Sequence, residues 1–207
     1  MASRTIVTIS NEYGCGAHEI ARAAAAELGF RFIDKELPVV VAKRLQTSPD
    51  VVDASEDTSR NLGERLIFGL EAGTPELASA TETTASFDQD LRKAVAQAVR
   101  EFAEPGNVVL FGRGSNAILG RRDDVLRIFM HAPRAWRIAH IIAAGNVDQK
   151  TATSEVDRID KARRTHMREN YDVDWGDPSY YDLSIDTAHF GPERARALIA
   201  AAVSMWQ

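Results

Sequence analysis

The chain has 207 residues, and its 25 Lys and Arg against 30 Asp and Glu give a formal net charge of −5. This acidic balance argues against a nucleic-acid polymer as partner, and no apolar run approaches the roughly 18 residues of a membrane-spanning helix. The single cysteine, Cys15, cannot form an internal disulfide, which favours a reducing compartment. We therefore expect a cytoplasmic protein with one domain over residues 1–207.

Short apolar runs alternate with helical patterns along most of the chain. The strand-like runs lie at residues 5–9, 30–33, 107–111, 125–130 and 183–185. The helical patterns lie at residues 19–28, 88–103, 134–144 and 192–205. This alternation predicts an α/β fold, a doubly wound parallel sheet of about five strands flanked by helices.

Two segments interrupt this alternation. Residues 36–87 contain two helical patterns, near 37–45 and 58–71, followed by a Ser-, Thr-, Glu- and Ala-rich stretch at 74–86. They are interpreted as a helical substrate-binding insertion with a flexible loop. Residues 146–177 are polar and charged from Thr151 onward, which predicts a partly packed helix that acts as a mobile lid.

A glycine-bearing loop at residues 10–18 joins the first strand to the first helix. Gly14 and Gly16 allow backbone N–H groups to curl around an anion, and the helix that follows directs its positive end at the same place. The backbone of Gly14, Cys15, Gly16, Ala17 and His18 is therefore a candidate phosphate site. However, Ala17 and His18 stand where the Walker pattern has Lys and Ser or Thr, so a simple strand-to-helix turn stays open.

Two charged residues follow predicted strands at the edge where a parallel sheet binds its ligands. Arg113 lies between glycines after the strand at 107–111, where it can reach an anionic substrate, and Asp34 follows the strand at 30–33, where it can orient a substrate or a magnesium-bound water. An exposed turn arginine and a helix-capping aspartate are the alternatives.

The segment 158–168 carries five Lys or Arg and one acid, which is a basic cluster in an acidic protein. Guanidinium groups match phosphate oxygens and stabilise the charge that spreads during phosphoryl transfer. Lys161, Arg163 and Arg164 are therefore candidate catalytic cations. The alternative is the solvated face of an ordinary helix.

Three other kinds of site are weighed against these assignments. A thiolate at Cys15, favoured by a helix N-terminus, suggests a nucleophile, but the chain has no second cysteine to resolve it. Gly14, Gly16 and the later Asp34 suggest a dinucleotide site, but Glu19 stands where the third glycine belongs. No metal-binding spacing occurs among the five histidines, His18, His131, His140, His166 and His189.

Four pieces of the sequence together resemble the cytidylate kinase-like family of P-loop nucleoside monophosphate kinases. The first two are residues 9–16 and 32–37, and the third is Gly112-Arg113. The fourth begins with 159–163 and continues through 175–178 to 181–187, where Trp-Gly-Asp precedes a Tyr-Asp-Leu strand. They cover nearly the whole chain except the insertion.

The resemblance implies transfer of the ATP γ-phosphate to a nucleoside monophosphate, CMP or dCMP, with Mg²⁺. The loop backbone would bind phosphate, Asp34 and Arg113 would face the monophosphate, and Arg163, with Lys161 and Arg164, would close from the lid. Family members often have Arg, Gly and Arg where this chain has Asn11, Ala17 and His18. A nucleotide-binding or interaction protein that keeps the fold without catalysis is therefore the alternative. The alanine-rich helices can pack either within the domain or between two copies of the chain, so the sequence does not decide between a monomer and a homodimer.

Overall fold

The computed structural model describes residues 4–54, 80–145 and 147–206, so the predicted helix at 58–71 lies outside the described residues. Within these ranges five strands form one sheet: β1 (Ile6–Asn11), β2 (Arg31–Ile33), β3 (Val108–Phe111), β4 (Val125–His131) and β5 (Leu183–Asp186). Their order across the sheet is β2-β3-β1-β4-β5, and every neighbouring pair is parallel. The predicted doubly wound parallel sheet is confirmed.

Helices connect the strands and cover both faces of the sheet. They are α1 (Ala17–Leu28), α2 (Glu36–Leu45), α3 (Pro49–Ala54), α4 (Ala80–Ala103), α5 (Ser115–Leu119), α6 (Arg134–Gly145), α7 (Gln149–Tyr171) and α8 (Thr187–Trp206), with a 3₁₀ turn at Pro178–Tyr180. No helix within the described ranges combines the length and the apolar character needed to cross a membrane.

The strand order argues against the dinucleotide-binding alternative. In the dinucleotide fold β1 lies beside β2, with the order 3-2-1-4-5-6. In this protein β3 lies between β2 and β1, with Ile6 of β1 opposite Val108 of β3 and Arg31 of β2 on the other side of Val108. The loop after β1 therefore faces the residues that follow β3.

The two faces of the sheet bury separate apolar clusters because successive strand residues point to opposite faces. Val7 and Ile9 of β1 pack with α1 and α8, whereas Ile6 packs with α2 and α4. Small residues on α1, such as Ala21 and Ala24, are fully buried and let this helix approach the sheet closely. Both clusters hold the carboxyl edge of the sheet in place beneath the candidate site.

Several helix boundaries differ from the sequence predictions. Helix α1 begins at Ala17 instead of residue 19, directly after Gly16, whose φ of 74° ends the loop. Helix α4 begins at Ala80, so residues 80–86, predicted as flexible loop, are helical. In α8, residues 187–190 form an additional helical turn, which ends in a kink at the non-helical Gly191 (φ 70°), and the helix predicted from residue 192 follows this kink.

An ion pair between largely buried side chains, 6% exposed for Arg127 and 13% for Asp182, joins β4 to the start of β5. Asp182 accepts hydrogen bonds from Nε (3.1 Å), Nη2 (2.8 Å) and the backbone N–H (2.9 Å) of Arg127. Burial alone would raise the pKa of Asp182, but the hydrogen bonds from Arg127 outweigh it and hold this pKa below its ordinary value. The pair therefore stabilises the fold only while Asp182 is ionised.

We expect Asp182→Asn to lower the free energy of unfolding at pH 7 by about 1–3 kcal/mol. Because the carboxyl has a lower pKa in the folded than in the unfolded chain, its contribution is fully present above pH ~4 and is lost as pH falls through the folded pKa. Urea unfolding at several pH values between 7 and 3 should show the free energies of unfolding of the unmodified protein and Asp182→Asn converging as the pH falls. A constant difference across this range would contradict the assignment.

Candidate active site

The phosphate loop, residues 10–18, includes the last two residues of β1, the turn at 12–16 and the first two residues of α1. Gly14 and Gly16 both adopt left-handed backbone conformations, with φ of 81° and 74°. A Cβ atom at Gly14 would lie 2.6 Å from Cδ1 of Ile141, so only glycine fits there. Because the first N–H groups of a helix have no partner within the helix, those of α1 are available to an anion at this loop.

The side chains of this loop do not supply the usual cation. Ala17 is 2% exposed, and Cys15 is 1% exposed with its Sγ 3.6 Å from the carbonyl oxygen of Met130. Burial raises the pKa of the Cys15 thiol to about 11. The hypothesis of a reactive thiolate is wrong, because the loss of hydration outweighs any effect of the helix N-terminus.

A cavity of about 240 Å³ opens beside the loop at the carboxyl edge of the sheet. It is lined by Ser10, Asn11, His18, Asp34, Phe111, Gly112, Arg113, Gly114, Arg163, His166, Met167 and Trp175. Four predicted site residues, His18, Asp34, Arg113 and Arg163, thus come together from four different elements. We call this space the site cavity.

The other predicted site residues lie outside this lining. The backbone of residues 14–17 forms the adjacent turn between β1 and α1. Lys161 is exposed on α7. Arg164 is also exposed, with its guanidinium carbon 5.9 Å from the ring centre of Trp175. Among the three predicted lid cations, Arg163 alone therefore reaches the site cavity.

His18 and Asp34 form a polar pair in the wall of the cavity. Nε2 of His18 lies 3.0 Å from Oδ2 of Asp34, and the imidazole meets Phe32 and Phe111 edge to face at 5.4 Å. The two rings fix the imidazole, which in turn fixes the carboxylate. Within the described residues no cluster of three His, Cys, Asp or Glu side chains could hold a metal ion. A carboxylate that faces a phosphate site is nevertheless a suitable donor for Mg²⁺, which completes its shell with phosphate oxygens and water.

Arg113 occupies a strained backbone position opposite this pair. Its φ is 59°, and the glycines on either side, Gly112 and Gly114, have φ of 70° and 64°. The amide of Gly112 donates to the carbonyl of Ile9 (2.8 Å), and Nη1 of Arg113 lies 3.4 Å from the carbonyl of Val52. A left-handed conformation costs a branched or long side chain about 1–2 kcal/mol, and such strain clusters at functional sites.

Arg163 projects from α7 onto the phosphate loop. Its Nη1 donates a 2.9 Å hydrogen bond to the carbonyl oxygen of Asn11. The guanidinium of Arg163 thus lies beside the loop in which the buried Ala17 occupies the position of the Walker lysine. The same helix, which the sequence predicts to be partly packed, buries Ala152, Val156 and Ile159, whereas Lys161 and Arg164 are exposed.

Sequence reasoning missed Arg137 and Asp160, which contact the loop directly. Nη1 of Arg137 lies 2.6 Å from Oδ2 of Asp160 and 2.8 Å from the carbonyl oxygen of Tyr13. Nε of Arg137 lies 3.2 Å from Oε2 of Glu12. The available signal was that Asp160 is the one acid within the basic segment 158–168.

Comparison with solved structures defines the class of fold. An uncharacterized protein from Eubacterium ventriosum superposes with a TM-score of 0.68 at 19% identity, covering 97% of this chain and 98% of that one. A shikimate kinase from Bacteroides thetaiotaomicron gives 0.51 at 15% identity, with coverage of 97% and 98%. A gluconokinase from Sinorhizobium meliloti gives 0.52 at 12% identity, with coverage of 99% and 97%. The architecture is that of the P-loop kinases.

The sequence comparisons define the family within that class. A model of the cytidylate kinase-like family matches residues 6–189, and the chain belongs to this family. The cytidylate kinase of Natronomonas pharaonis is 27% identical over 203 residues, which cover 97% of this chain and 90% of the relative. That of Thermococcus kodakarensis is 24% identical over 198 residues, with coverage of 96% and 87%. Family and fold together support a nucleotide kinase.

Proposed function

We propose that this protein transfers the γ-phosphate of ATP to a nucleoside monophosphate, CMP or dCMP. The observation that carries the proposal is the site cavity, which is lined by both Arg113 and Arg163 together with residues of the phosphate loop. Phosphoryl transfer requires positioned reactants and neutralised charge, with little covalent chemistry from the protein. Cations from two separate elements meet this requirement.

The residues that line the cavity indicate which end binds ATP, the phosphate donor, and which end binds the acceptor monophosphate. The loop backbone and the N-terminus of α1 bind the phosphates of ATP, and Arg163, bound to the carbonyl of Asn11, neutralises charge where the Walker lysine is absent. Arg113 binds the acceptor phosphate from the side of β3. Lys161 and Arg164 are exposed on α7, the helix that carries Arg163, and supply positive potential at the entrance of the site cavity.

Asp34 and His18 fit a magnesium-dependent reaction. Asp34, held by His18, would provide a carboxylate oxygen to Mg²⁺, directly or through water. The ion supplies charge neutralisation between the transferred phosphate groups when it is bound. The tilted pair Phe32 and Phe111 keeps His18, and through it Asp34, in a fixed orientation.

The preference for cytosine rests on the relatives, which carry the name cytidylate kinase. The experiment is anion-exchange chromatography of the products formed from ATP, Mg²⁺ and an equimolar mixture of CMP, dCMP, UMP, AMP and GMP, with conversion of AMP followed by the loss of AMP. We expect the diphosphates of CMP or dCMP to form first. Faster conversion of another monophosphate would overturn the base assignment and leave the reaction class intact.

A binding protein without catalysis is the second candidate, favoured by one observation. Ala17 is buried at the position of the Walker lysine, so this position supplies no cation to the phosphates. Under this alternative ATP raises the melting temperature, but no diphosphate forms from any acceptor.

The strain at Arg113 gives a separate prediction. Arg113→Gly removes a side chain from a left-handed position, so the free energy of unfolding should stay level or rise by up to about 1 kcal/mol. The same change removes the acceptor cation, and KM for CMP should rise by roughly tenfold or more. Steady-state kinetics and urea unfolding measure the two effects.

Asn107→Gly is the matched control, because Asn107 is exposed before β3 and has a φ of 50°. It should leave the kinetics unaltered and change stability less than Arg113→Gly does, because asparagine adopts the left-handed region more readily than arginine. Equal KM values for the two variants would remove Arg113 from substrate binding.

A further inference from the structure

Two ion pairs, one helical turn apart, join α6 to α7. Arg134 and Asp157 form the first, at 2.7 Å, and both side chains are exposed. Arg137 and Asp160 form the second, at 2.6 Å, and their side chains are 5% and 11% exposed. The two pairs are chemically alike, but the buried one alone also reaches the phosphate loop.

The buried pair binds both backbone polar groups of Tyr13. Oδ1 of Asp160 accepts the Tyr13 N–H at 2.9 Å, while Nη1 of Arg137 donates to the Tyr13 carbonyl at 2.8 Å. Nε of Arg137 also donates to the carbonyl of Ala132 (3.0 Å), beyond the end of β4. The loop is therefore fastened to the sheet through side chains that have little freedom to move.

Asp160 lies three residues before Arg163, so the two side chains project from the same face of α7. Asp160 contacts the loop at Tyr13 and Arg163 contacts it at Asn11. Helix α7 thus holds two backbone positions, two residues apart, on one short loop. Any displacement of the loop relative to α7 would break both contacts.

We propose that Asp160 is a positioning residue, which orders the phosphate loop and sets its register against Arg163. The kinetic part of this inference rests on the proposed function, whereas the ordering of the loop does not. A loop that is already fixed loses little entropy when phosphate binds, and this matters most where the loop has no lysine to capture the phosphate.

Hydrogen exchange of the nucleotide-free protein tests the ordering directly. In Asp160→Ala the amides of residues 10–18 should exchange roughly tenfold faster or more, since Tyr13 loses its acceptor. Asp157→Ala removes the exposed pair between the same helices and should leave this peptide unchanged. Peptides from the buried side of α8, around Ile199 and Val203, report on global unfolding and should still exchange far more slowly than the loop in both variants.

Asp160→Asn covers the case in which the alanine variant does not fold. The amide oxygen can still accept from Tyr13, while the charge facing Arg137 is lost, so an intermediate exchange rate is expected. In turnover assays kcat should fall by roughly 10- to 100-fold in Asp160→Ala, with partial rescue in Asp160→Asn and no change in Asp157→Ala.

Equal loop exchange in Asp160→Ala and Asp157→Ala would overturn the proposal. So would a loop that exchanges faster in Asp160→Ala only together with the α8 peptides, because the effect would then be global unfolding. Absence of turnover in the unmodified protein would count against the proposed function, while the exchange result would still decide the role of Asp160.

Discussion

Replacing Arg163 with alanine is expected to lower kcat by roughly 100- to 1,000-fold, the usual effect of losing one group that stabilises charge in a transition state. Nη1 of Arg163 contacts the loop carbonyl of Asn11, and the side chain lines the site cavity. The effect should be large because Ala17 supplies no second cation at the loop. Initial rates of ADP release with ATP, Mg²⁺ and CMP measure it.

Lys150→Ala is the matched control for this change. Lys150 is an exposed cation in the first turn of the same helix, α7, so its loss changes the net charge equally. Its rate and melting temperature should match those of the unmodified protein, whereas Arg163→Ala should lose far more activity than stability. An unchanged rate in Arg163→Ala would remove Arg163 from the mechanism. We expect Arg163→Lys to recover little of the lost activity, because lysine lacks the planar guanidinium that binds two phosphate oxygens at once.

Replacing Arg137 with methionine is expected to lower the free energy of unfolding by about 3–5 kcal/mol, because breaking a buried ion pair leaves an uncompensated charge. The guanidinium is 5% exposed, and it lies 2.6 Å from Asp160 and 3.2 Å from Glu12. Methionine fills most of the volume, so the loss reports on charge and hydrogen bonds more than on packing. Urea unfolding measures the change.

Arg134→Met removes the exposed partner of Asp157 on the same pair of helices. It should have a far smaller effect, because water solvates both charges and salt screens them. Similar losses of stability in Arg134→Met and Arg137→Met would show that burial does not distinguish the two ion pairs. The interpretation that the buried pair holds the phosphate loop in place would then be wrong.

Much of the fold can be predicted from short stretches of the sequence. The short apolar run at residues 5–9 predicts β1, and the left-handed requirement at Gly14 and Gly16 marks the loop that follows. Asp34 and Arg113 were predicted at the carboxyl edge because parallel strands end together, and both do line the site cavity. The start of α1 was less predictable, since its N-cap, Gly16, has no side chain that could form a capping hydrogen bond.

The contacts that organise the site depend on residues far apart in the chain. The separation is 16 residues for His18 and Asp34, and 147 residues for Tyr13 and Asp160. No spacing rule links such positions. The basic segment 158–168 predicted a cation at the phosphates but not which one, because only the direction of each side chain on α7 separates Arg163 from the exposed Lys161.

The most direct test of the proposed kinase activity is ADP release with ATP, Mg²⁺ and either CMP or dCMP, measured beside the ATP-induced rise in melting temperature. Arg163→Ala serves as the control for contaminating kinases. The account predicts monophosphate-dependent ADP release well above the rate of that variant. Stabilisation by ATP without turnover on any monophosphate would contradict it, and would show that a loop with Ala17 binds phosphate but does not transfer it.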